Sequence, residues 1–214
     1  MKDQYSNQLL QGATGDLLCE ISNDQLIKAG HLTPPRVVII DMPTLGGPKA
    51  WPEVYESSIM WNKQRNDRII DELAKAPKPA FVMCTRLAHA QMLHTMAETK
   101  GISLPAVQQG KTSLKERDDV LAKLQTGKEK AIITTTIDDE GVDLPDLRTL
   151  ILAGGGKSTV ANLQSIGRGL RLASGKHEVL VIDFNDKTGA ILKRHSKARK
   201  KVWEDEGFNI EETS

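Results

Sequence analysis

Two arginines three positions apart, Arg168 and Arg171, lie in the segment NLQSIGRGLR at residues 162–171. At about 100° per residue they share one narrow helical stripe with Gln164, while Leu163, Ile166 and Leu170 form another that can pack on a sheet. Guanidinium groups are planar, permanently charged forks that can engage two oxygens of an anion at once. Gly167 and Gly169 flank Arg168 where a helix prefers Ala or Leu, at roughly 1 kcal/mol each, so something approaches the backbone there. Taken alone, such a pair is most simply two solvated arginines on a surface helix. The surroundings have to decide.

Three further groups could do chemistry. Thr85 and Arg86 close the run FVMCTR, Gln109 and Gly110 follow PAVQ, and TTIDDEGVDLP at 135–145 contains Thr135, Gly141 and Asp143. Singly, each could be a loop or capping residue, and Asp143 a turn residue before Pro145. Asp138, Asp139 and Glu140 read as a solvated acidic face rather than a metal site. A fourth string, GGGKST at 154–159, invites comparison with a phosphate-binding loop but fails on spacing. The glycine that pattern needs five positions earlier is Ile151, inside an apolar run, so Ser158 or Thr159 is expected only to cap the following helix.

The elements that must position these residues are legible in the periodicity. From residue 36 onward, short apolar and β-branched runs alternate with segments of helical period, the pattern of a parallel α/β sheet with helices on both faces and right-handed crossovers. Strands are expected at 36–41, 79–84, 105–109, 130–135, 147–153 and 178–184, and helices at 52–75, 87–100, 113–126 and 158–172. Thr85, Arg86, Gly110, Thr135, Gly141 and Asp143 then follow strand ends, the carboxyl edge where α/β folds place ligands. A short helix over 22–29, capped by Ser22 and stopped by Gly30, leads through Pro34 and Pro35 into the first strand. A basic helix over 188–206 carries Lys193, Arg194, Lys197, Arg199, Lys200 and Lys201, and reads equally as a nucleic-acid face or as an ordinary solvated helix with its charges spread around it.

QxxGRxxR after such an α/β pattern resembles motif VI of superfamily-two helicases, and the upstream runs fit the same family in order. FVMCTR is similar to motif IV, Gln109-Gly110 to the turn after the next strand, and TTIDDEGVDLP to motif V. Within the superfamily, ISNDQLIKAGHLTPP and the closing VIDFNDKTGAILKRHSKARKKVWEDEGF are most similar to the UvsW-like phage and XPB-like repair helicases. The resemblance implies a RecA-like helicase C-terminal lobe over 36–186, an extension and linker over 1–35, and a basic helix and tail over 187–214.

It also implies the chemistry. Arg168 and Arg171 would reach the γ-phosphate of ATP held on a first lobe, with Gln164 bonding the phosphate or the attacking water. Gly141 and Asp143 would face the nucleotide, and Thr85, Arg86, Gly110 and Thr135 would hold a nucleic-acid backbone, DNA or RNA, without reading its sequence. ATP and Mg2+ would be bound mainly by the N-terminal RecA-like lobe, whose Walker loops are missing here. The chain therefore reads as a cut edge, an excised piece or a separate fragment, and alone should not hydrolyse ATP. Two rivals stand beside this reading: a non-enzymatic nucleic-acid-binding or regulatory module, and a self-sufficient NTPase using Lys157.

Bulk properties set bounds. At 214 residues, 39% hydrophobic and 27% charged, the chain fits one soluble domain. No apolar run approaches the roughly 20 residues of a spanning helix, and no secretory signal opens the chain. Neither membrane nor metal is expected, and the expected location is the cytoplasm of a bacterium or a phage-infected host. Cys19 and Cys84 lack metal-ligand spacing and read as reduced buried thiols. A net charge of +1 argues against binding nucleic acid by bulk electrostatics but leaves a local basic face open. With 4% aromatics, base stacking is not the main grip, and Trp51, Trp61 and Trp203 are expected to be packing residues.

Overall fold

The computed structural model describes residues 23–44, 46–48, 50–135, 146–156, 173 and 175–213. They form a six-stranded, all-parallel sheet of RecA-like type, in the spatial order β3-β2-β4-β5-β1-β6. The strands are β1 (Pro35–Asp41), β2 (Ala80–Met83), β3 (Ala131–Thr134), β4 (Thr149–Leu152), β5 (Val179–Asn185) and β6 (Asn209–Thr213). The helices are α1 (Asn23–Lys28), α2 (Trp51–Val54), α3 (Lys63–Lys75), α4 (Leu87–Thr99), α5 (Leu114–Gln125) and α6 (Gly189–Asp205), with a π-helical segment over Tyr55–Met60.

Alternation along the strands sends side chains to two cores. Ile40, Val82, Ile133, Ile151 and Ile182 meet Ile69, Ile70 and Leu73 of α3 and Leu93 of α4 on one face. Val37, Ile39, Phe81, Leu150 and Val181 meet Val120 and Leu124 of α5 and Trp203 of α6 on the other. Because both faces are covered, β2, β3 and β4 are buried at every position, which is why these strands read as continuous apolar runs.

The structure departs from expectation in three places. Residues 105–109 form no strand: Gln108 makes only an isolated parallel bridge to Thr134, its N–H donating to Ile133 O at 3.0 Å. The sixth strand is instead β6, in the segment expected to be a helix and tail, where Asn209–Thr213 pairs with β1. Its pattern is mostly exposed, so it lacks the apolar run that marks a covered strand.

The third departure is the expected single helix over 52–75. It opens with Pro52 in its first turn, widens into the π-helical segment, and restarts at Asn62. Asparagine causes the restart by competing with the backbone for hydrogen bonds. Asn62 Oδ1 accepts from Arg65 N at 3.1 Å, its Nδ2 donates to Ser58 O at 3.2 Å, and Asn66 Nδ2 donates to Met60 O at 2.7 Å. At α5 the expected start holds, with Ser113 and Glu116 forming a capping box.

Candidate functional site

The carboxyl ends of adjacent strands form one rim, and four of the candidate residues lie on it. Met83 of β2 is in register with Thr134 of β3, and Cys84 N donates to Thr134 O at 2.9 Å, so Thr85 and Thr135 leave neighbouring strands side by side. Thr135 N donates to Gln108 O at 3.0 Å, which brings the 108–110 turn to the same end of the sheet. Thr112 Oγ1 accepts from Gln109 N, and Arg117 Nη2 donates to the carbonyls of Gln109 and Gly110 at 3.1 and 3.2 Å. Gly110 is exposed and a Cβ there would meet open space. Its φ is not positive, so the turn itself does not require glycine.

Arg86 is half-buried, with its guanidinium carbon 4.5 Å from the centre of the Tyr55 ring. Tyr55 belongs to the π-helical segment and stands edge-on to Trp51 and to His89. Its hydroxyl lies 3.1 Å from His89 Nδ1, and His89 Nε2 lies 3.0 Å from Asn66 Oδ1. Burial, assisted by the positive Arg65, pushes His89 down to about 3, so the ring is neutral. A neutral ring that donates from Nε2 to Asn66 accepts at Nδ1, so the Tyr55 hydroxyl donates. Burial also raises the Tyr55 phenol, keeping that proton in place. Cys84, beside Thr85, is a free buried thiol pushed up to about 12 by burial and therefore inert as a nucleophile.

Farther along the rim, the loop after β4 is held by two buried arginines that the sequence reading did not assign to it. Arg65 on α3 donates to Asp186 Oδ1 at 2.8 Å, to Asp186 Oδ2 at 3.2 Å, and to Ala153 O at 2.7 Å. Arg199 on α6 binds both oxygens of Asp183 at 3.0 Å and donates to Gly155 O at 2.8 Å and Phe184 O at 2.7 Å. Burial opposes the charge of Arg199, but Asp183 beside it prevails and holds its pKa above the usual value. Gly155 has φ +62°, and a Cβ there would fall 2.7 Å from Ile59 Cδ1. The loop thus has one backbone path, gripped from both faces of the sheet.

These contacts correct two expectations. Arg199, counted with the basic face of the tail helix, is 1% exposed and works inside the fold. Trp61, expected to pack, is 62% exposed, whereas Trp203 is fully buried with its indole N–H directed at Asp183. A signal for the arginine clamps was present: Asp183 and Asp186 stand in or beside an otherwise apolar strand, where a buried carboxylate requires a cation.

Gln164, Arg168 and Arg171 lie outside the described residues, as do Gly141, Asp143 and Lys157. Among the described residues no cluster of three or more His, Cys, Asp or Glu could hold a metal, and no helix is long and apolar enough to cross a membrane.

The model of the helicase conserved C-terminal domain matches residues 64–173. A protein assigned as helicase 22 of the Sulfolobus islandicus filamentous virus is 27% identical over 191 residues, covering 81% of this chain and 34% of its own. The DNA 3'-5' translocase XPB2 of Sulfurisphaera tokodaii is 29% identical over 128 residues, covering 56% of this chain and 28% of its own. The chain thus spans about a third of the length of these curated relatives. Among solved structures, T4 UvsW superposes with a TM-score of 0.62 at 23% identity, over 83% of this chain and 41% of that one, a likeness of fold.

Proposed function

Because the chain belongs to the helicase conserved C-terminal domain family of superfamily-two helicases, we propose that it is the second motor lobe of an ATP-dependent translocase acting on DNA. The observation that carries this reading is the shared rim of β2 and β3. There Thr85, Arg86, Gly110 and Thr135 come to adjacent strand ends, and an exposed glycine that the turn does not need leaves room for a backbone. Hydroxyls, a guanidinium and exposed peptide groups suit phosphates and carry no base code, so the strand is held without sequence preference. DNA is preferred over RNA because a relative of this chain is named as a DNA translocase.

In this proposal the ATP site is shared. A first lobe supplies the phosphate loop and the Mg2+ ligands. Gly141 and Asp143 face the nucleotide, while Arg168 and Arg171, oriented with Gln164, reach the γ-phosphate. Such fingers stabilise charge growing on the transferring group and are worth about 10³ to 10⁵ in rate. Closure of the lobes then moves DNA along the rim.

Two measurements test it. DNA-stimulated ATPase should be absent from this chain alone and present when it is joined to a first lobe of the family; activity in the lone chain contradicts the shared site. In the joined protein, Arg168→Ala should lower ATPase at least about 10³-fold while leaving DNA affinity intact. Gly110→Ala should do the reverse, weakening DNA binding with an unchanged melting temperature. A protein in which Arg168→Ala costs only DNA binding would be a binding module without a motor.

A further inference from the structure

We propose that the outer face of α6, together with the groove between α6 and the sheet, is a second phosphate-backbone site for nucleic acid. It lies on the opposite flank of the sheet from Thr85 and Arg86. The inference rests on the nucleic-acid reading above and adds a location to it.

The helix has two sharply different sides. Ser196, Arg199 and Trp203 are buried toward the sheet, and Leu192 against the segment 54–60. At about 100° per residue, Lys193, Lys197, Lys201 and Arg194 fall within one arc of roughly 100° on the other side. All four are exposed, and among the described residues none makes an ion pair. Elsewhere on helix surfaces basic side chains pair one turn apart, as Lys200 does with Glu204 near the end of α6. Lys63 pairs with Asp67 and Arg68 with Glu72 on α3, and Lys123 pairs with Asp119 on α5, each one turn apart. On α6 the residue one turn from Lys193 is Lys197, and one turn on again is Lys201. Like charges at this spacing cost a helix stability. In a chain with 29 basic and 28 acidic side chains, four unpaired cations on one face are a local concentration rather than a reflection of composition.

A groove of about 330 Å³ runs beside this face, lined by Lys187, Lys193, Lys197 and Lys200 with Asn185 and Glu212. Its inner charges are already balanced: Lys187 is held by Asp41 at 2.6 Å, and Lys200 by Glu212. Asp183, at its floor, is occupied by Arg199. Lys193 and Lys197 therefore stand at the mouth as uncompensated charge. Successive lysines along the stripe are separated by about 6 Å of helix rise, a spacing that lets each meet its own phosphate.

The chemistry favours a polyphosphate chain over an acidic protein. Protein interfaces need an apolar or aromatic centre, and the large exposed apolar residues among those described, Trp61 and Leu114, are on other elements. What this face offers is charge on flexible stems, the means by which phosphate backbones are bound irrespective of sequence. Two to four strand spacings separate β2 from the β5, β1 and β6 residues that line the groove, roughly 10 to 19 Å at about 4.8 Å each. One strand of several nucleotides could span both sites.

The test uses the full 214-residue chain and a fluorescein-labelled single-stranded oligodeoxynucleotide of mixed sequence, with affinity read by anisotropy across a salt series. Lys193→Glu with Lys197→Glu should weaken binding by about tenfold or more at low salt and reduce the slope of log K against log salt by roughly 1 to 1.5. The matched control, Lys75→Glu with Lys128→Glu, changes net charge equally on exposed lysines elsewhere and should retain most of the affinity. Equal losses in both pairs, or none, overturn the α6 site. If Arg86→Glu still weakens binding in that case, the rim reading survives without it. No binding of any strand by the unaltered chain removes both. A polyglutamate peptide bound as tightly as the oligonucleotide would also overturn the proposal, in favour of an acidic protein partner. Unchanged circular dichroism and melting temperature in both variants ensure that the comparison reports on the surface.

Discussion

His89 shows how one buried residue ties the rim to the interior. It is fully enclosed, hydrogen-bonded between Tyr55 and Asn66, and its partner Tyr55 carries Arg86 on its ring. The folded protein keeps this imidazole neutral down to about pH 3, whereas the unfolded chain takes up its proton near the ordinary value of 6.5. Between those values the unfolded state binds more protons, so stability falls as pH drops through the window, by roughly 1 kcal/mol per unit. From pH 7 to 5 the melting temperature should therefore fall by several degrees, and His89→Gln, which starts lower, should show a flatter dependence. Equal slopes would mean that other groups govern the acid response. Glycine has opposite meanings at two nearby places. At Gly155 the positive φ and the closeness of Ile59 require it; at Gly110 the fold places no such demand, and the proposed backbone site is what would use the open space there.

At the scale of elements, α3 and α6 do more than cover the sheet. Each sends one arginine through its own face to an aspartate at the end of β5 and onward to the carbonyls following β4. A buried ion pair is weak evidence for stability, but removing one partner leaves an uncompensated charge and typically costs about 3–5 kcal/mol. Arg65→Leu should therefore lower unfolding free energy by about that amount in urea titrations, and adding Asp186→Asn should recover part of the loss. Additive losses would show that Arg65 acts mainly through Ala153 and its packing over Phe184. Most elements were legible because their causes are local: Ser113 with Glu116 starts α5, and unbroken apolar runs mark β2, β3 and β4. The π-helical break was not, since it depends on Asn62 and Asn66 reaching back to carbonyls that only the folded turn presents.

For the molecule as a whole, α6 and β6 belong to the sheet's own cores. Trp203 and Phe208 pack with Val37, Ile39 and Val181, and β6 pairs with β1 along five residues. The chain should consequently unfold in one step. With Trp51 and Trp61 replaced by Phe, the fluorescence of Trp203 and the far-UV ellipticity should melt together, and an earlier fluorescence transition would show the C-terminal segment separating first. The sequence alone determined the alternating α/β order, the two-sided burial of the strands, and a set of phosphate-seeking residue types after strand ends, because periodicity and residue chemistry are properties of short stretches. Packing between distant segments set the rest: residues 105–109 stop at a single bridge, 209–213 complete the sheet, and Arg199 turns inward while Lys193, Arg194, Lys197 and Lys201 stay in water. Each of those outcomes depends on a partner outside the segment itself: Thr134 for the bridge, β1 for 209–213, and Asp183 with Gly155 for Arg199, and no local pattern encodes which backbone or carboxylate will be waiting there.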